Sequence, residues 1–193
     1  MSLGQELLEV LARVVGTLDQ RRLPYFVTGS FAASVHGEFR ATNDVDLVVQ
    51  LGPEDARGVV DDLMPDFIGD GNAAAHAAGT GASFNLIHLE TLLKVDVFSA
   101  RGDLNTAALQ RAVALTLADG MPAVRFASVE DVMLAKMRWY ALGGRESAVQ
   151  RRDIEGLIRL NRERIDWAYV GEAVRRERLE SIGREFEIGM REM

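Results

Sequence analysis

Apolar side chains recur at helical spacing near the start of the chain, at Leu7, Leu8, Leu11, Val14, Val15 and Leu18. This predicts an amphipathic helix over residues 5–20. Arg21-Arg22-Leu23-Pro24 ends it, because proline disfavours helical backbone in the residue before it. Tyr25-Phe26-Val27-Thr28 reads as a short buried strand, followed by Gly29-Ser30. Phe31 to His36 then has a helical pattern, with Gly37 as its stop. Val45, Leu47, Val49 and Leu51 alternate with Asp44, Asp46, Val48 and Gln50, the mark of a half-buried strand. Pro53-Glu54-Asp55 opens a helix that runs to about Met64.

Residues 69–82 are rich in Gly, Ala and Asn and read as a mobile loop. Ser83–Glu90 and Lys94–Ser99 are expected to form a hairpin, and a short helix follows near Leu104–Arg111. Val113–Leu117 and Ala123–Phe126 flank Asp119-Gly120, a hairpin turn signal. No strand pattern follows Ser128. There Ser128 as N-cap and Asp131 at N3 form a shortened capping box. Helices are expected near 129–142, 147–161 and 167–186. The expected fold class is therefore α+β: a mixed sheet backed by helices over residues 1–127, then a C-terminal helical region over 128–193.

The chain has 193 residues, 48% apolar and 26% charged, the profile of an ordinary globule. It has no Cys, which excludes disulfides and thiolate zinc sites. No apolar run approaches the roughly 18 residues of a membrane span. The N-terminal stretch lacks a basic n-region, so it does not read as a signal peptide. A cytoplasmic protein without membrane association is expected. Net charge is −7, which argues against coating nucleic acid by bulk electrostatics. The charge is uneven. Residues 1–135 hold 9 basic and 18 acidic side chains, and residues 136–193 hold 13 and 11. Only two of the basic residues are lysines, Lys94 and Lys136.

The chemistry centres on acids placed in apolar strands. Asp44 and Asp46 are two apart on one strand, so both point to one face while Val45, Leu47 and Val49 point to the other. Neighbouring carboxylates repel, and such an arrangement lasts where a cation or a shared proton offsets the repulsion. Hard oxygen ligands suit Mg²⁺ or Mn²⁺. Asp96 repeats the setting in Lys94-Val95-Asp96-Val97-Phe98. Three acids on adjacent strands can hold two metal ions about 3.5–4 Å apart. Upstream, Gly29-Ser30 stands between strand and helix, where free N–H groups favour phosphate and glycine permits close approach.

Gly29-Ser30, Asp44-x-Asp46 and the later Asp96 together resemble the nucleotidyltransferase-fold superfamily, which includes DNA polymerase beta, CCA-adding enzymes and aminoglycoside nucleotidyltransferases. Phe39-Arg40-Ala41-Thr42-Asn43-Asp44 looks like the approach to the metal site in small bacterial members of the AbiEii type, some of them toxins of toxin–antitoxin pairs. Glu130-Asp131, Lys136, Gly143-Gly144 and Gln150–Ile154 resemble the helical part of those members, where a lysine and a later aspartate belong to the site. The resemblance implies an NTP such as ATP with Mg²⁺, and metal ligands and catalytic groups at Asp44, Asp46 and Asp96. It implies nucleotide binding at Gly29, Ser30, Arg40, Thr42, Lys136 and Asp153. It leaves the acceptor open among an RNA 3′ end, a protein and a small molecule, and allows an antitoxin partner.

Other readings stand beside these. Arg40 meets triphosphate oxygens or pairs with an acid such as Glu38. Thr42 orients Asp44 or caps a turn. Lys136 contacts phosphate or lies at the surface; in the first case its loss weakens nucleotide binding and leaves the ligand-free protein stable. Asp153 receives a proton, positions Lys136 or pairs with Arg152. His36 and His88 read as packing residues, His76 as solvated, and Trp139-Tyr140 as core. Two other functions fit parts of the pattern: a DxD-type glycosyltransferase using a nucleotide-sugar, and a non-catalytic nucleotide-binding module.

Overall fold

The computed structural model describes residues 3–37 and 39–188. Glu38, considered above as a partner of Arg40, lies outside them. The chain forms two compact units, one of Met1–Phe31 with Ala41–Ala127 and one of Ala32–Arg40 with Ser128–Met193.

The first unit begins with α1 (Leu3–Gln20), β1 (Tyr25–Thr28) and the first turn of α2 (Gly29–His36). It continues with β2 (Asp44–Val49), α3 (Pro53–Leu63), β3 (Phe67–Ile68), α4 (Gly71–Thr80), β4 (Ser83–His88) and β5 (Lys94–Ser99). It ends with α5 (Gly102–Arg111), β6 (Val113–Leu115) and β7 (Val124–Phe126). The strands form one mixed sheet in the order β3-β4-β5-β2-β1-β7-β6. β2 runs antiparallel to β1 and parallel to β5, while β4 and β5 form the expected hairpin. The two-residue β3 adds an edge strand that no sequence pattern marks.

Burial explains these choices. Tyr25, Phe26 and Val27 are all buried, as a strand covered on both faces requires. Leu11, Val14 and Val15 of α1 and Val59, Val60 and Leu63 of α3 supply apolar stripes at helical spacing. β2 departs from strict alternation, because Val48 is buried along with Val45, Leu47 and Val49. The second face of β2 is thus covered from Val48 onward, and only its Asp44–Asp46 end stays partly open.

The segment expected to be a mobile loop is a helix. Asp70 caps α4, accepting from the Asn72 and Ala73 N–H groups at 2.9 and 3.0 Å. Alanine is the strongest helix former, and Ala74, Ala75, Ala77 and Ala78 are buried. Gly81 ends the helix in the left-handed region at φ 81°. Asp70→Ala is expected to cost about 1 kcal/mol, the usual worth of an N-cap. Urea unfolding measures it, and unchanged stability would show that the cap contributes nothing here.

In the second unit the end of α2 joins α6 (Val129–Leu142), α7 (Ala148–Asn161), α8 (Trp167–Arg176) and α9 (Glu180–Glu185). The single helix expected over 167–186 is two, broken where Arg178 takes φ 58° and the Leu179 N–H turns back to the Val174 carbonyl. Ser128 caps α6 as expected: its Oγ accepts from the Asp131 N–H and donates to Asp131 Oδ2 at 2.9 Å. Tyr169 donates to Asp131 Oδ1 at 2.6 Å. Tyr140 is buried, but Trp139 is 56% exposed, so the pair does not enter the core together. Successive helical positions diverge by about 100°, which separates them. Asn161 Nδ2 donates to the His36 carbonyl at 2.8 Å and ties α2 to α7 within this unit. Among the described residues, no helix is long and apolar enough to cross a membrane.

Candidate active site

Residues directly opposite on paired strands project from the same face. Thr28 opposes Asp46, Asp46 opposes Asp96, and Asp96 opposes Asn85. A polar row therefore crosses four strands, β1, β2, β5 and β4, with Asp46 and Asp96 at its centre. Asp44 opposes Lys94 in the adjoining row. Asp44, Asp46 and Asp96 are half-buried.

Gly29 closes one side of this row. Its φ is 67°, a conformation that L side chains rarely adopt, and a Cβ there would lie 1.8 Å from Asp46 Oδ2. The glycine lets the backbone entering α2 approach the carboxylate directly. Ser30 follows in the first turn, where helix N–H groups lack intrahelical partners. Gly29→Ala is expected to cost about 1–2 kcal/mol for the left-handed backbone, and a further 1–3 kcal/mol or so for the overlap. Denaturant melts of Gly29→Ala and of Gly29→Ala/Asp46→Gly separate the two contributions. Only the overlap is relieved in the double variant, and a fully stable single variant would contradict the contact.

Thr42 hydrogen-bonds through its Oγ1 to Asp44 Oδ1, so it orients that carboxylate. Lys94 Nζ lies 2.7 Å from Asp96 Oδ2, with side-chain exposures of 47% and 17%. The hydrogen bond to Asp96 raises the Lys94 pKa above its ordinary value; desolvation opposes this, and the charges of Asp96, Asp44 and Asp46 add to it. Carboxylate oxygens are the donor type that a hard divalent cation takes. Among the described residues no three acids converge as a ready-made cation cage. Asp96 faces the lysine instead.

Arg40, Lys136 and Asp153 form a separate group in the second unit. Lys136 is 4% exposed, and its Nζ lies 2.8 Å from Asp153 Oδ2. Arg40 Nε is 3.9 Å from Asp153 Oδ1. The Ser34 hydroxyl donates to the Arg40 carbonyl and accepts from its N–H, at 3.0 and 3.2 Å. Ala33, Phe39, Arg40, Arg152, Asp153 and Gly156 line a pocket beside the pair. Of the roles open to Asp153, the structure shows it paired with Lys136.

His88 is half-buried, bonded to Thr91 and packed on Phe67, and His76 is exposed on α4. The sequence pattern leaves three residues unmarked: Thr28 and Asn85 in the row, and Lys94 in the adjoining one. For Lys94 a signal exists, since the alternation that joins Asp44 to Asp46 also joins Lys94 to Asp96.

No family model matches this sequence, and no curated protein matches it. Solved structures do. An antigenic nucleotidyltransferase-like protein from Paracoccidioides brasiliensis superposes with a TM-score of 0.55 at 22% identity, over 81% of this chain and 77% of that one. The antibiotic-resistance factor ANT(2'')-Ia, in complex with adenylyl-2''-tobramycin, gives 0.60 at 15% identity, over 91% and 98%. Its solution structure gives 0.56 at 16% identity, over 95% and 97%. The chain has a mixed α+β fold similar to that of nucleotidyltransferases.

Proposed function

We propose that this protein is a divalent-metal-dependent nucleotidyltransferase that moves an NMP group from an NTP to a hydroxyl acceptor and releases pyrophosphate. The observation that carries the reading is the polar row itself: Asp46 opposite Asp96, Asp44 beside it, and Gly29 held against the Asp46 carboxylate with no room for a side chain. A solvated sheet face needs neither a left-handed glycine nor acids in register.

Asp44, Asp46 and Asp96 would hold Mg²⁺ or Mn²⁺, which when bound neutralises charge on the phosphate oxygens and lowers the pKa of the acceptor hydroxyl. Thr42 fixes the Asp44 rotamer. The Gly29-Ser30 backbone offers N–H groups to the triphosphate. Asp96 takes the hydroxyl proton as the acceptor oxygen bonds to the α-phosphorus. The bond from that phosphorus to the β-bridging oxygen breaks, and pyrophosphate leaves with the electron pair. Arg40, Lys136 and Asp153 belong to nucleotide binding in this reading.

Incubation with each radiolabelled NTP, Mg²⁺ and a panel of acceptors tests the proposal. ANT(2'')-Ia holds an adenylylated small molecule, so aminoglycosides head the panel, with RNA and total cell protein beside them. Label transfer with stoichiometric pyrophosphate supports the reading. Nucleotide binding without release would favour a non-catalytic module, and a preference for nucleotide-sugars a glycosyltransferase. A toxin role with an antitoxin partner rests on the resemblance carried by Phe39–Leu47 and by Glu130–Ile154; growth arrest on expression, lost in Asp46→Asn, is its test.

A further inference from the structure

The polar row has two ends. At the β1 end Gly29 lies against Asp46 at the start of α2, where the proposed reaction places the triphosphate. At the other end Asn85 of β4 stands directly opposite Asp96 of β5. Displacement at the α-phosphorus is in line, so the attacking oxygen and the departing pyrophosphate lie on opposite sides of that atom. With pyrophosphate on the β1 side, the acceptor enters from the β4 side. Side chains directly opposite on antiparallel strands have Cβ atoms about 4.5–5.5 Å apart. Across that interval Asp96 and Asn85 can both reach one acceptor molecule.

Asn85 is out of keeping with its strand. β4 lies between β3 and β5, and Phe84 and Leu86 on either side of Asn85 are buried. Strands disfavour asparagine, and this one is exposed, so it gains no packing in return. Among the described residues nothing hydrogen-bonds to its side chain. Its amide therefore keeps two donors and an acceptor for a partner from solution. We propose that Asn85 is the residue that holds the acceptor: its amide hydrogen-bonds the acceptor beside the reacting hydroxyl and turns that hydroxyl toward Asp96. The inference rests on the proposed function for the reaction, and goes beyond it in placing the acceptor on the open face of β4 and β5. Ser83 and Ile87, the neighbours of Asn85 on that face of β4, are uncharged. The acceptor is gripped there through neutral polar groups.

The test is transfer kinetics at saturating NTP, varying the member of the acceptor panel that wild type labels. Asn85→Val removes the amide and is expected to melt no lower than wild type, because β-branched residues suit strands. Its acceptor KM is expected to rise about five- to tenfold, the worth of roughly one hydrogen bond. Its affinity for NTP, titrated without acceptor, is expected to stay at the wild-type value, because the nucleotide sits at the other end of the row. Asn85→Thr keeps a donor and an acceptor in a residue that strands also favour, and its KM is expected to fall between the two. An acceptor KM for Asn85→Val within about twofold of wild type, or an equal loss of NTP affinity, would overturn the inference and leave the proposed function standing. No transfer by wild type to any member of the panel would remove the proposed function and the inference with it.

Discussion

Asp46→Asn is expected to lower nucleotidyl transfer by about 10³-fold while the chain stays folded. Asp46 occupies the centre of the polar row, opposite Thr28 on one side and Asp96 on the other, with Gly29 against its Oδ2. Loss of one preorganised electrostatic group at a reacting centre costs about 10²–10³ in kcat. The amide keeps the shape, so it fits beside Gly29, but it cannot supply an anionic oxygen. Stability should move little, by less than about 1 kcal/mol, because the substitution removes one of several like charges on a partly solvated face. Pyrophosphate release at saturating NTP and a thermal melt, run on both proteins, test both halves. Activity within tenfold of wild type would remove Asp46 from the reaction. Loss of the fold would make its role structural.

Lys136→Met is expected to destabilise the ligand-free protein by about 3–5 kcal/mol, the cost of leaving one member of a buried ion pair without the other. This differs from the expectation of a phosphate contact that leaves the ligand-free protein unaffected. The reason is burial: Lys136 does not snorkel to water, and its anion, Asp153, is already present on α7 at 2.8 Å. Arg40, at 3.9 Å and 39% exposed on its side chain, is too distant to replace it. Lys136→Met/Asp153→Leu should recover most of the loss, since replacing both partners with apolar groups is often neutral or better. Chemical denaturation of the two single variants and the double gives the coupling energy. Additive effects would show the two side chains to be independent.

What the sequence made legible depended on whether a feature is local. Asp44, Asp46 and Asp96 stand out because each is an acid inside an apolar strand, and period-two alternation assigns its face. The Ser128 cap was readable for the same reason, a short offset from Asp131. The helix α4 was not, since Gly71, Asn72 and Gly79 are turn-forming types and mask both the alanines and the Asp70 cap. The adjacency of β2 and β5 is a tertiary choice that no local pattern records; only the β4–β5 hairpin is. The same holds for residues 32–40, which cluster with helices about a hundred positions later. Lys136 reads as a surface or phosphate lysine because burial is invisible until α6 and α7 pack.

Asp46 and Asp96 lie about 50 residues apart in sequence and meet only because β2 and β5 pair in parallel. No tight turn fixes the alignment of a parallel pair. Slipping β5 by one residue would send Val95 and Val97 to the open face and turn Asp96 into the apolar layer with Leu47 and Val45. A buried carboxylate there has no partner, so misaligned pairings are penalised by the very group the site needs. The acid thus proofreads strand alignment during folding. Because α3, β3, α4 and β4 intervene, the pairing closes a long loop and falls late among contacts. A refolding chain should regain compactness and helix first, and the face that carries Asp44, Asp46 and Asp96 last and all at once.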